Sequence, residues 1–455
     1  MKLRQDFFSQ MAAILLYRIA LDLIYIRYVV PNYGYYHFSL DNDRVLILVS
    51  YAILLPIVAM VPALLSRATL SDITIALLIL IYYVPYTSLY AYSNHDIKYM
   101  LYVITYFLVL LSVNWLLIVQ QGNSKSALSQ DRNASDSNWF VMAIIILGLI
   151  RIVSSGIYTN FRVTFDLSDY YEYRAEAREY SMPEVVRYLL GWSNMGLTVG
   201  LIYSLVHKKR GLSLYIIICT VLAFSFNGKK SILFTLILTV TIYYMFSEDK
   251  LSRIPSYLCG LSWLGIAELL VRNGESFISK HFIRRLLFIP PHMGTLYYDF
   301  FSKHEYDYLR ASVLRRLGAV SPYGNIPRFI GAQYFSGQSM AMNANTGLCG
   351  DAFANFGFAS LLFTPIVIVL TFKLIEYCAG NVSFKIKMVV AVTVAYSFAN
   401  GSYFTLLLTN GMLFLMVALL LLSSEDIVGH DGASRPELQG SHNWHPPVAN
   451  LTTEP

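Results

Sequence analysis

Apolar residues along this chain come in long runs broken by short polar turns. About twelve runs have the roughly 16 to 23 residues that a helix needs to cross a hydrocarbon core. They are Gln10–Val30, Arg44–Leu64, Ser71–Tyr92, Lys98–Val119, Asn138–Gly156, Val186–Val206, Leu212–Phe226, Ser231–Phe246, Pro255–Val271, Asp351–Phe372, Lys385–Asn400 and Tyr403–Leu422. Alternating strand-like segments of about ten residues are absent, which excludes an outer-membrane barrel. The pattern predicts an all-α polytopic membrane protein with a single transmembrane domain over residues 1–423. The stretch 424–455 is rich in Gly, Pro, Ser and His and poor in apolar residues, and reads as a disordered tail. The first run is followed by no small-residue cleavage site, so it reads as an uncleaved helix.

Composition agrees. Hydrophobic residues make up 56% of the chain and charged ones 14%, against about a quarter in soluble domains. The net charge of +6 is spread over short loops and does not indicate nucleic-acid binding. Cys219, Cys259, Cys349 and Cys378 lie in or beside apolar runs without metal or disulfide spacing, and read as small apolar residues.

Lysines and arginines set the expected orientation. Lys2 and Arg4 precede the first run. Alternate connections then carry Arg67, Lys125 with Arg132, Lys208–Lys209–Arg210, Lys250 with Arg253, and Lys373 with Lys385 and Lys387. These loops and both termini are predicted to be cytoplasmic. Two larger loops, about 157–185 and 272–350, are predicted to lie outside, the second with amphipathic helices at the membrane surface.

Four constellations fall on that outer side. The first loop mixes Tyr170, Tyr171 and Tyr173 with Arg174 and Arg178, which share a helical face; solvated salt bridges and a tyrosine belt explain most of it. Lys229 and Lys230 break the charge rule in a tight turn at a helix start. Such a turn suits a phosphate, and equally suits lysines reaching lipid headgroups. In the second loop, Arg272 and Glu275 precede His281, Arg284, Arg285, Pro290, Pro291, His292, Tyr297, Tyr298 and Asp299. Arginine grips a diphosphate with two donors where lysine offers a point charge. Asn345 to Gly357 is rich in small residues, with Asp351 expected to open the tenth helix as its cap. Arg18 and Asp22, four apart on the first helix, are expected to pair within the membrane. Asp41 and Asp43 form a weak acidic pair better explained as a turn and helix cap, so no metal or other cofactor is expected.

The stretch Arg284-Arg285…Pro290-Pro291…Tyr297-Tyr298-Asp299-Phe300-Phe301, followed by Asn345…Gly350-Asp351-Ala352-Phe353-Ala354-Asn355-Phe356-Gly357, resembles the Wzy-type O-antigen polymerases of bacterial inner membranes, which are similar in fold to O-antigen ligases. The ligases bear Ser-Arg at an outer turn where this chain has Lys229-Lys230-Ser231. The resemblance implies a GT-C-like glycosyltransferase in the inner membrane. It would join undecaprenyl-diphosphate-linked repeat units on the periplasmic face, among membrane lipids and beside a flippase and a chain-length regulator. The diphosphate leaves as a stable anion, so preorganised positive charge matters more than a general acid. Arg284, Arg285, Arg272, Lys229, Lys230, Arg174, Arg178, Tyr297, Tyr298 and Asn345 are the expected substrate contacts. The acceptor hydroxyl needs a base; His281, His292, Glu275, Asp299 and Asp351 remain unranked. The competing expectations are a flippase for the same lipid-linked glycan and an O-antigen ligase.

Overall fold

The computed structural model describes residues 2–93, 95–122, 137–161, 183–227, 230–335 and 342–423. Every regular element among them is helical. The apolar runs fall on helices because a lipid-facing backbone must satisfy its own N–H and C=O groups. They are α1 (Lys2–Ile24), α2 (Arg44–Val58), α3 (Val61–Arg67), α4 (Leu70–Leu78), α5 (Val84–Tyr92), α6 (Ile97–Gly122), α7 (Ser137–Tyr158), α8 (Glu184–Val206), α9 (Arg210–Asn227), α10 (Lys230–Met245), α11 (Ile254–Val271), α12 (Ile289–Phe301), α13 (Ile326–Tyr334), α14 (Leu348–Phe356), α15 (Thr364–Ala379), α16 (Phe384–Asn400) and α17 (Met412–Ser423).

Among the described residues, six helices are long and apolar enough to cross a membrane: Arg44–Arg67, Leu70–Tyr92, Ile97–Ile118, Trp139–Tyr158, Glu184–Val206 and Glu248–Val271. Helices α9, α10 and α17 are apolar but shorter. The tenth run is not one straight span. It breaks at Phe363 into Leu348–Leu362 and Thr364–Ala379, bent by 92°. Asp351 is therefore not a helix cap: Gly347 holds that position, and Asp351 lies inside α14.

Helix α1 continues through a π-helical turn, Tyr25–Val29, to Tyr33. The same device widens Ile79–Tyr83 between α4 and α5, and Ser279–Phe288 before α12. A proline follows each: Pro31, Pro85 and Pro290. Proline lacks the N–H for the regular ladder and its ring pushes on the preceding turn, so the local bonds shift to wider spacing. Span Leu70–Tyr92 is the axis of the molecule, 94% of its window being buried. Helix α1 packs on α11, α16 on α4, and α2 on α5, while α7, α8, α9 and α10 form a second cluster.

One end of the bundle carries residues 34–43, 93, 95–96, 272–335 and 342–347, and is called the loop-rich end below. The second large loop does not simply lie on the surface there. Pro290 to Tyr298 is buried, and α12 packs on α14. Glycines allow this approach: a Cβ on Gly294 would stand 2.6 Å from the Tyr99 hydroxyl, and one on Gly350 3.0 Å from the Gly294 Cα.

Candidate functional site

The loop-rich end gathers aromatic rings around one buried arginine. Past α1 the chain reads Tyr33-Gly34-Tyr35-Tyr36-His37, in a tight 3-10 turn. Tyr33 and Tyr36 form the wall against which the Ser279–Phe288 turn packs. Arg284, 8% exposed, stands with its guanidinium carbon 3.9 Å from the Tyr33 ring centroid and 5.7 Å from that of Tyr36. Its Nε and Nη1 are buried and have no hydrogen-bond partner. A charged group kept from water with idle donors is costly unless an anion completes it. The Tyr28 hydroxyl lies within electrostatic reach of both Arg284 and Glu275, and Glu275 is exposed. Tyr35, 56% exposed, opens the cluster to solvent. Tyr36 and His37 also pack on Phe335, and His37 Nε2 bonds the Tyr334 carbonyl at 2.6 Å. This cation over π-faces is attractive in its own right.

The two adjacent arginines do not act side by side. Arg285 is exposed and faces Tyr396 of α16 electrostatically, while Arg284 turns inward. Arg272 ends α11 and pairs with Glu268 at 3.0 Å. Tyr297 donates to the Ala344 carbonyl at 2.8 Å, and Tyr298 to Asp96 at 2.8 Å. Both hydroxyls hold the loop together and neither ring is free to stack on a sugar. Asn345 is exposed. Lys229, Arg174, Arg178, Tyr170, Tyr171 and Tyr173 lie outside the described residues, as do the Lys230 side chain and the tail 424–455.

The proposed bases lie in different settings. His292 is buried, stacked on Phe38 at 4.2 Å, with Nε2 2.7 Å from the Tyr36 carbonyl oxygen. Burial pushes its imidazolium down to about 3, with repulsion from His95 and His37 adding and the Tyr36 carbonyl opposing. Asp299 accepts from Lys303 Nζ and from the Tyr334 hydroxyl, each at 2.6 Å. Asp351 accepts from the Tyr403 backbone N–H at 2.9 Å and borders a separate apolar cavity of about 180 Å³ with Phe363, Val367 and Phe404. Fifteen positions of helix, about 20 Å, separate Arg284 from Asp299. Glu275 and Arg284 both lie within electrostatic reach of the Tyr28 hydroxyl, and His281, three residues before Arg284, packs on Phe277 at 4.6 Å.

No family model, no curated protein and no solved structure matches the chain. Among the described residues, no three His, Cys, Asp or Glu side chains are placed to hold a metal ion. Asp43 caps α2, accepting from the Val45 N–H at 2.8 Å.

In the sequence alone the tyrosine wall, Tyr33 to His37, looks like an interfacial aromatic belt. Its one distinguishing sign is density, four aromatic side chains in five positions immediately after α1.

Proposed function

We propose that the protein is a glycosyltransferase of the periplasmic face of a bacterial inner membrane, joining undecaprenyl-diphosphate-linked oligosaccharide repeat units into a surface polysaccharide. The observation that carries this reading is Arg284: a buried guanidinium with two unpaired donors, walled by tyrosines, at the loop-rich end. Idle N–H groups on a fixed guanidinium can donate to the anionic oxygens of a diphosphate. Charge fixed before the reaction stabilises the diphosphate as it takes up the bond electrons, without reorganisation. Tyrosine faces beside it suit the apolar faces of sugar rings. Glu275 takes the proton from the acceptor hydroxyl as the new glycosidic bond forms and the sugar–diphosphate bond breaks. A flippase reading would draw on Arg151, a cation inside the bundle, but the cavity beside it measures only about 20 Å³, too small for a sugar.

The test is the lipopolysaccharide ladder of the native host. Deletion should leave lipid A capped with one repeat unit; a cap with no repeat unit would instead indicate a ligase or flippase. Arg284→Ala and Arg284→Lys should each reduce long chains at least tenfold at normal protein abundance, Glu275→Gln likewise, and Arg285→Ala little. Full ladders from Arg284→Ala would overturn the assignment of the diphosphate.

A further inference from the structure

Among the described residues, the second helix cluster contains a cation with no counter-charge. Arg151 sits within span Trp139–Tyr158 and is 5% exposed. Its Nη1 reaches the Ser193 hydroxyl at 3.4 Å, the long limit of a hydrogen bond, and its Nε is buried without a partner. Among the described residues no carboxylate pairs with it, whereas Arg18 in the other cluster has Asp22. An arginine in hydrocarbon normally pairs or marks a site. A cavity of about 20 Å³ adjoins the guanidinium, lined by Asn194, Thr198, Thr220, Thr235 and Thr239 from α8, α9 and α10 together with leucine and isoleucine side chains of the same helices. One water-sized occupant needs roughly 10–15 Å³, so this space holds one small particle and excludes phosphate or sulfate.

We propose that this cavity binds a single small monovalent anion of about chloride's size, held by Arg151 and the hydroxyl and amide groups around it. A water would satisfy the idle N–H but leave the buried charge uncompensated. The threonines are suited to the task. Thr198, Thr220 and Thr239 now donate to carbonyls of their own helices, and each hydroxyl can rotate its proton toward an anion. Cys219 is within electrostatic reach of Arg151 and, among the described residues, supplies the rival, an ionised thiolate. The site ties α7 to α8, α9 and α10, so its occupancy should be read as stability of the whole protein.

The experiment is a thermal-unfolding series on the full-length protein in detergent, at constant ionic strength, comparing sodium chloride and bromide with gluconate. The two halides should raise the midpoint saturably by a few degrees over gluconate. Arg151→Met should abolish that response, and Cys219→Ser should keep it. Bromide should give an anomalous scattering peak beside Arg151. Equal midpoints in all three salts, an undiminished halide response in Arg151→Met, loss of the response in Cys219→Ser, or a bromide map empty at Arg151 would each overturn the proposal. Should Arg151→Met fail to fold, Arg151→Lys keeps the charge and is expected to keep the response, and the bromide map decides alone.

Discussion

At the scale of single residues, the buried charges divide by how completely they are matched. Arg18 pairs with Asp22 and donates to Thr87, Ser88 and Ser50, while Asp22 accepts from Tyr51 and Ser88. Every strong donor there is spent, which makes the pair structural. Removing one partner strands the other in hydrocarbon, a cost of about 3–5 kcal/mol. Asp22→Leu and Arg18→Met should each sharply lower the thermal midpoint, and the double substitution should recover much of the loss. An additive double mutant would show that the two charges do not interact. His292 behaves differently, because it is held neutral. Its folded-state value is about 3, whereas an unfolded histidine protonates near 6.5. Below 6.5 the unfolded chain binds a proton that the folded chain refuses, so stability falls as pH drops from about 6.5 toward 3 and is level above 6.5. The wild-type midpoint should therefore decline on the acid side, and His292→Asn should flatten that decline. An identical slope in both proteins would place the acid sensitivity elsewhere.

At the scale of elements, helix positions were legible because apolar runs are long and uninterrupted, and the Arg18–Asp22 pair because its i, i+4 spacing fixes one face. The break of the tenth run was less so. Leu361, Leu362 and Phe363 read as continuous apolar sequence, and Pro365, in the first turn of α15, is the local sign of the 92° bend there. The burial of α12 was hidden. Tyr297, Tyr298 and His292 look like an interfacial face, but Gly294 and Gly350 let the helix sink against α14 until those side chains are enclosed. Gly350→Val tests that contact. Its new atoms would press on Thr346 Oγ1, 2.6 Å from the ideal Cβ, and on the Gly294 backbone at 3.0 Å. Overpacking of this kind costs about 1–3 kcal/mol. Gly260→Ala, with nothing within 4 Å, should leave the midpoint unchanged or raise it, since alanine is the better helix former. Equal behaviour of the two substitutions would mean that the α12–α14 crossing is loose.

At the scale of the whole molecule, the loop-rich end needs to face the periplasm if Arg284 is to meet a lipid-linked glycan there. The aromatic turn after α1 and the turn between α10 and α11 report opposite ends of the bundle by parity. Helix α1 separates the N-terminus from Tyr35, and Lys250 and Arg253 lie in the turn that the positive-inside rule would put in the cytoplasm. Tyr35 and Asp249 are suitable probes. Tyr35 is more than half exposed, and Asp249 is also exposed in a 3-10 turn before α11. Each is replaced by cysteine in a background where Cys219, Cys259, Cys349 and Cys378 are serine or alanine. A membrane-impermeant maleimide added to the periplasmic side should label the cysteine at 35 and spare the one at 249. Opening the inner membrane should then expose 249. Labelling of 249 from the periplasm with protection of 35 would invert the molecule. Arg284 and its tyrosine wall would then face the cytoplasm, and a periplasmic transferase reaction at that site would be ruled out, whatever the ladder of the deletion strain shows.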